Sequence, residues 1–215
     1  MSTLTKKKMT PAQQTKLLNY VDIGLKWIKG DIAFDEVVKV FGDPEFHSDQ
    51  LGKIEYSWFP EKIMTVSFIF DRGNLVDGKP GIDTFNIRMS DDVHTSIPYE
   101  HFDSLGMKRI VRGERMDSVR TEKSDFFRPD GVIEFSGGLP KNYVSFGWRL
   151  PMPEDSPYDI RAGFGYLGEW IDQKKEMDFS NLRNAVDLRD VTISRFYLLP
   201  NELQQRDAAR RQKSG

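Results

Sequence analysis

Apolar residues recur at helical spacing in two segments near the start of the chain. In "TKLLNYVDIGLKWIKG", residues 15–30, large apolar side chains return every three or four positions and a glycine follows the last of them. "FDEVVKVFGDPE", residues 34–45, repeats the pattern over a shorter length before Gly42 and Pro44. Such a glycine and proline end helices. The pattern predicts two helices, with Asp31 able to cap the second, and a chain that then turns into a sheet.

A two-residue period of apolar positions follows in three segments. They are "IEYSWF" at 54–59, "KIMTVSFIF" at 62–70 and "DTFNIRM" at 83–89. Alternation places the apolar side chains on one face of a strand and the polar ones on the other. We therefore expect an antiparallel meander that packs its apolar face on the two helices and leaves its other face exposed to solvent.

The second half of the chain resembles the first. "PYEHFDSLG", 98–106, again predicts a short helical turn that ends at a glycine, and "IEFS" and "VSFGW" at 133–136 and 144–148 match "IEYS" and "VSFIF". The repetitive composition of strands leaves coincidence open as an alternative to duplication. Further along, "YLGEWIDQKKEMDF" at 166–179 predicts a helix and "DVTISRFYLL" at 190–199 predicts a last strand.

These patterns predict an α+β protein of two tandem helix-plus-antiparallel-sheet units, with the N-terminal helices packed on a meander. Residues 1–10 are expected to form a flexible basic tail, and 11–97 the first unit. Residues 98–200 form the second unit, read as a diverged repeat, and 201–215 a polar C-terminal tail.

Composition excludes several classes of function. The 215 residues carry a formal net charge of −2 and no cysteine. The chain therefore has no overall field that would gather nucleic acid or anionic lipid, no disulfide framework and no thiolate metal site. No apolar run approaches the roughly 20 residues of a membrane helix, and the basic N-terminus lacks the apolar stretch of a secretory signal. We expect a soluble cytoplasmic protein.

Two motifs suggest chemistry but have simpler interpretations. "GFGYLG" at 163–168 has the glycine spacing of a dinucleotide-binding turn, yet that turn needs a parallel βαβ unit, so a glycine-softened strand is the better interpretation. Residues 91–103 combine His94 and His101 with four acidic residues. Their spacing matches no known ligand motif and Pro98 breaks any helix that would align the histidines, so a solvated acidic loop is expected. No catalytic residue, metal or cofactor is predicted.

The pattern "FDEVVKVFGDPE", then "IEYSW", then "VSFIFDRGNLVDG" resembles the short helix, stop and meander of the SmpA/OmlA/BamE-like and β-lactamase-inhibitor-like superfamily. In that family the strand after the hairpin ends in an aspartate and a glycine turn, as Phe70, Asp71 and Gly73 do here. The resemblance covers residues 34–89 and, more loosely, 98–150. The chain also resembles bacterial immunity proteins in style, which implies a binding protein and not an enzyme.

The resulting hypothesis is a cytoplasmic immunity or inhibitor protein that occludes the active site of a cognate protein toxin, for example a nuclease. Nucleases carry basic clefts, which an acidic surface complements. The predicted partner-binding residues lie in two acidic segments: Asp91, Asp92, Glu100 and Asp103 in the first, and Glu154, Asp155 and Asp159 in the second. Two alternatives stay open: a carboxylate-based or metal-assisted enzyme that uses the 91–103 cluster, and an accessory or chaperone-like binding subunit.

Overall fold

Two helices and a large antiparallel sheet form the body of the protein. The computed structural model describes residues 6–50, 52–71, 82–106, 108–109, 143–150, 152–153, 156–172 and 182–197, together with residues 203–204, 207–208 and 211, whose backbone is helical. The observed class is α+β, as predicted. None of the helices in these ranges has the length and apolar character needed to span a membrane.

Helix α1 (Pro11–Lys29) and helix α2 (Phe34–Phe41) form where the apolar spacing predicts them. Thr10 and Gln13 make a capping box at the start of α1, and Gly30 ends it in the left-handed conformation at φ 83°. The predicted capping role of Asp31 is wrong. Ala33 is the N-cap of α2, and its N–H donates to Glu36 at 3.2 Å, while the Asp31 carboxylate pairs with Lys29.

The larger of the two sheets in the described part of the chain has eight strands. Its strands are β2 (Phe46–Gln50), β3 (Lys53–Trp58), β4 (Met64–Asp71), β5 (Ile82–Met89), β7 (Lys108–Arg109), β8 (Tyr143–Leu150), β9 (Tyr158–Trp170) and β10 (Leu182–Tyr197). The strand order is β2-β3-β4-β5-β10-β9-β8-β7, with every neighbouring pair antiparallel. The predicted meander and last strand are therefore present, and the last strand joins the two halves.

The apolar face of the sheet carries the core. Trp27 of α1 and Phe34 of α2 pack edge-on against Phe68 of β4, with ring centroids 5.1 and 5.9 Å apart. In the second half, a 3₁₀ helix (Tyr99–Leu105) covers the same face and stacks Phe102 on Phe164 of β9 at 3.9 Å. Helical and 3₁₀ segments thus bury one face of the sheet, and the polar side chains lie on the other.

The strand order differs from two separate tandem sheets. β5 pairs directly with β10, so the strands of both halves belong to one sheet. Val66, Ser67 and Phe68 lie in β4, one strand from this central pair, whereas the matching residues 144–146 lie in β8, two strands from it. The two segments are both strands but do not hold equivalent positions. "IEFS" at 133–136 and the side chain of Phe146 lie outside the described residues.

Two predicted segments differ from the structure. The helix predicted over 166–179 is wrong at its start, because residues 166–170 continue β9 and residues 173–181 lie outside the described ranges. Ile160, Ala162 and Phe164 alternate on the buried face and set the period of the strand. Residues 6–10 are not a loose tail: β1 (Lys7–Lys8) pairs in parallel with β6 (Val93–His94), and Met9 is buried.

Candidate functional site

The polar face of the sheet contains a groove of about 570 Å³. It spans strands from both halves because the β5–β10 pair places their polar positions side by side. We call it the polar-face groove. Its described lining residues are Glu55, Thr65, Ser67, Asn86, Ile87, Arg88, Tyr143, Asp190 and Thr192. Apart from Ile87, these side chains are polar or, in the case of Tyr143, carry a polar hydroxyl group, so the groove offers hydrogen-bond donors and acceptors.

Tyr143 and Asp190 meet at one end of the groove. The Tyr143 hydroxyl donates a 2.7 Å hydrogen bond to Asp190 Oδ2 across strand β9, which lies between their strands. Gly165 is the β9 residue opposite Asp190. A Cβ atom at Gly165 would lie 1.8 Å from the Tyr143 hydroxyl oxygen and 2.4 Å from Asp190 Oδ2. The missing side chain of Gly165 therefore creates the space in which the tyrosine and the carboxylate meet.

Burial raises the pKa of the Asp190 carboxyl above its ordinary value. The hydrogen bond from Tyr143 and the positive charges of Arg88 and Arg189 act in the opposite direction but are weaker than the desolvation. Asp190 therefore keeps a proton to higher pH than an exposed aspartate does.

Arg88 is the exposed cation of the groove. Its Cα partners are Asp190 on β10 and Thr65 on β4. Its side chain is exposed and makes no hydrogen bond or ion pair within the part of the chain that the structure describes. An arginine carries five donors in a planar fork suited to oxyanions, so the groove contains an anion-binding group whose donors are not used by these residues.

Hydroxyl groups connect the groove to neighbouring strands. Ser57 Oγ donates to Glu55 Oε1 at 3.0 Å and lies 2.7 Å from Ser67 Oγ. Because the single Ser57 proton is used on Glu55, Ser67 is the donor in the second bond. Glu55 thus has a fixed neutral partner at the opposite end of the groove from Tyr143.

The first predicted acidic segment is partly exposed on the surface. Asp91 is fully exposed, and its Oδ1 accepts a 3.1 Å bond from Arg189. Asp92 is exposed and its carbonyl oxygen accepts the Lys7 N–H at 2.7 Å. Glu100 is an exposed residue of the 3₁₀ helix, and Asp103 belongs to the same helix by its backbone. Asp91 follows Arg88 by three positions, so the 91–92 turn lies beyond the end of the strand that carries the groove arginine.

The second predicted acidic segment does not form a described surface. Glu154 and Asp155 lie outside the described residues. The Asp159 side chain is only 6% exposed; it pairs with Arg149 at 3.2 Å and lies 3.9 Å from Arg161. An aspartate that is buried between two arginines has little area to offer a partner, so we leave Asp159 out of the binding surface.

The structure places both of the sequence motifs that suggested chemistry. Within the described ranges, histidines, aspartates and glutamates form no group of three or more that is arranged to hold a metal ion. His94 has a neutral neighbour, with its Nδ1 3.0 Å from Ser96 Oγ. The "GFGYLG" segment lies inside antiparallel strand β9, as expected for a glycine-softened strand and not for a dinucleotide-binding turn.

The sequence did carry a signal for the groove. In the alternating segments, each polar residue of the groove is next in sequence to an apolar residue that predicted a strand. The pairs are Glu55 and Tyr56, Ser67 and Phe68, Asn86 and Ile87, and Thr192 and Ile193. What the sequence lacked was the pairing of β5 with β10, which brings these rows together.

Comparison with known proteins adds little. No protein-family model matches the chain and no solved structure matches it. A segment is similar to a Caenorhabditis elegans protein described as uncharacterized protein C28H8.5, with 29% identity over 65 residues, which is 30% of this chain and 22% of the relative. The match thus spans about a fifth of that relative's length. Function must be inferred from the geometry.

Proposed function

We propose that the chain is an inhibitor protein of the immunity class, which binds a cognate protein toxin in the cytoplasm and occludes its active site. The observation that supports this most is an exposed arginine, Arg88, on the polar face of β5, followed three and four residues later by two exposed aspartates in the turn beyond β5. Together they offer one exposed arginine and two exposed carboxylates, Asp91 and Asp92, within a few residues of each other. A surface with charges of both signs at fixed positions is suited to specific recognition of a protein.

The acidic turn is held in place before any partner arrives. Arg189 donates to the carbonyl oxygens of Val93 at 2.7 Å and Ser90 at 2.9 Å, and to Asp91 Oδ1 at 3.1 Å. Fixing the turn in this way reduces the conformational entropy that is lost on binding. The proposal therefore does not require the turn to rearrange.

The test uses the product of the neighbouring gene as the candidate toxin. Purified toxin is titrated with wild-type protein and with an Asp91→Lys, Asp92→Lys double variant, and both binding and toxin activity are measured. We expect inhibition by the wild type and slower association with the variant. The matched control is Asp35→Lys with Asp43→Lys, which makes the same charge change at exposed positions in and just after α2. A neighbour that is neither bound nor inhibited would contradict the proposal.

A carboxylate-based enzyme is the second candidate, and a specific observation favours it. Asp190, with its raised pKa, and Tyr143 share a cavity with a second carboxylate, Glu55. Two carboxyl groups in one site, one of them with a raised pKa, are an arrangement used in hydrolysis. Turnover of chromogenic esters or glycosides by the wild type, abolished in Asp190→Asn, would replace the inhibitor proposal. No turnover in such a panel would favour binding.

A further inference from the structure

The charge balance around Arg88 defines the chemistry of the polar-face groove. Arg88 is exposed and has no ion pair within the described part of the chain, although Asp190 is its direct cross-strand partner. Asp190 instead accepts the Tyr143 hydroxyl. Arg88 thus influences Asp190 through its charge without donating a hydrogen bond to it, and the donors of Arg88 remain available.

Neutral donors surround the same cation. Thr65 is the cross-strand partner of Arg88 on β4, Asn86 lies two positions along β5 on the same face, and Thr192 is the partner of Asn86 on β10. All three line the groove, and none of their side chains makes a hydrogen bond with the described residues. Their hydroxyl and amide groups add three donors beside the guanidinium.

We propose that the polar-face groove binds a carboxylate group, with Arg88 as its charged anchor and Thr65, Asn86 and Thr192 as neutral donors. A guanidinium pairs with a carboxylate through two parallel N–H···O bonds, which gives geometric specificity as well as energy. The inference does not depend on the identity of a toxin: it concerns the chemical class of the group that the groove accepts, whether a free carboxylate or an acidic side chain of a protein partner.

Other ligand classes fit less well. A ligand cation that reached Asp190 would lie beside Arg88 and would compete with the Tyr143 hydroxyl for the carboxylate. A phosphate, with nearly two negative charges, would face both Asp190 and Glu55 across the groove. A carboxylate carries a single charge, so its repulsion from Asp190 and Glu55 is smaller. The groove thus best accommodates one planar, singly charged anion.

The test is an NMR titration of the protein with sodium acetate, at constant ionic strength maintained with sodium chloride. We expect saturable shifts of the Arg88 Nε–H and Asn86 side-chain amide signals. Arg88→Met should abolish saturable binding, and Arg88→Lys should weaken it, because a lysine keeps the charge but not the paired donors. Asp190→Asn should strengthen acetate binding at pH 7 several-fold, because it removes the negative charge next to Arg88.

Each alternative outcome is distinguishable. Absence of saturable shifts, or equal shifts with chloride alone, would overturn the inference. So would weaker acetate binding in Asp190→Asn, because it would show that Asp190 does not repel the anion. Saturation of the same signals by methylammonium chloride would also overturn it, because it indicates a cation site. An N-acetylglutamate amide probe identifies the source: tighter binding than acetate supports a protein side chain, and equal binding supports a small free carboxylate. These results hold whether or not the neighbouring gene's product binds.

Discussion

The hydroxyl of Tyr143 reaches across strand β9 to donate a 2.7 Å hydrogen bond to Asp190, at a position where Gly165 provides no side chain. This contact joins β8 to β10 on the polar face and forms one end of the groove. It also explains a glycine of "GFGYLG" without invoking a nucleotide. The glycine makes room for a hydrogen bond between the two strands that flank β9.

Gly165→Ala should break this contact and destabilise the fold. The new Cβ would lie 1.8 Å from the Tyr143 oxygen, so the tyrosine must move, and overpacking of this kind costs about 1–3 kcal/mol. Chemical denaturation measures the cost. Gly168→Ala is the milder comparison, because its Cβ would lie 3.2 Å from Ala185 Cβ and 3.3 Å from Ala185 Cα and Val144 Cγ2, so the neighbours need to move much less. Equal costs for the two variants would contradict the explanation of Gly165.

Asp190→Asn should change the pH dependence of stability. Burial raises the folded-state pKa of Asp190 above its unfolded-state pKa. Above the folded-state pKa the ionised carboxylate therefore destabilises the fold, and below the unfolded-state pKa this destabilisation vanishes. The variant should therefore gain stability relative to wild type at pH 7 and lose this gain on acidification through the pKa. Urea unfolding at several pH values tests this. A difference that is independent of pH would show that Asp190 does not titrate as inferred.

Gly24→Ala tests the close approach of α1 to the sheet. Alanine normally stabilises a helix interior by about 1 kcal/mol over glycine. Here the new Cβ would lie 2.3 Å from the Phe85 ring, so we expect a net loss of about 1–2 kcal/mol. Phe85→Leu in the Gly24→Ala background should recover part of that loss, and Asn19→Ala on the exposed side of α1 should not destabilise. Additive effects of Gly24→Ala and Phe85→Leu would contradict the contact.

Arg195→Met tests the link between β10 and the end of α1. Arg195 donates from Nε to the Ile28 carbonyl at 2.7 Å and from Nη2 to the Trp27 and Ile28 carbonyls. Charged hydrogen bonds of this kind contribute about 1.5–3 kcal/mol, and we expect the free energy of unfolding of Arg195→Met to fall by an amount in that range. The control is Arg183→Met on the same strand, whose ion pair with Glu169 is about half exposed and should contribute less than about 1 kcal/mol.

Local periodicity was enough to predict the elements that have one solvent-exposed face and one buried face. The two helices, strands β3 to β5 and the end of β10 were predicted because their buried residues recur at fixed spacing. Strand β2 was missed because its side chains are mostly exposed on both sides, which leaves no alternation to detect. The helix predicted from Tyr166 failed because the strand continues to Trp170, through glycines that no helical or strand period identifies.

The groove was not predicted either, and the reason is different. Arg88 and Asp190 become neighbours only through the β5–β10 pairing, which no local pattern encodes. The acidic segments, in contrast, were visible in the sequence, but the sequence did not distinguish exposed Asp91 from buried Asp159. That difference depends on the pairing of Asp159 with Arg149 across β8 and β9.

The most direct test of the proposed function is a calorimetric titration of the neighbouring gene's product with wild-type protein, Arg88→Met, and the Asp35→Lys, Asp43→Lys control. An inhibitor that docks through the polar-face groove should form a one-to-one complex. Its affinity should fall at least about tenfold in Arg88→Met and should be unchanged in the control. Equal affinity of wild type and Arg88→Met would place the docking surface elsewhere. No binding by any of the three would contradict the inhibitor proposal itself.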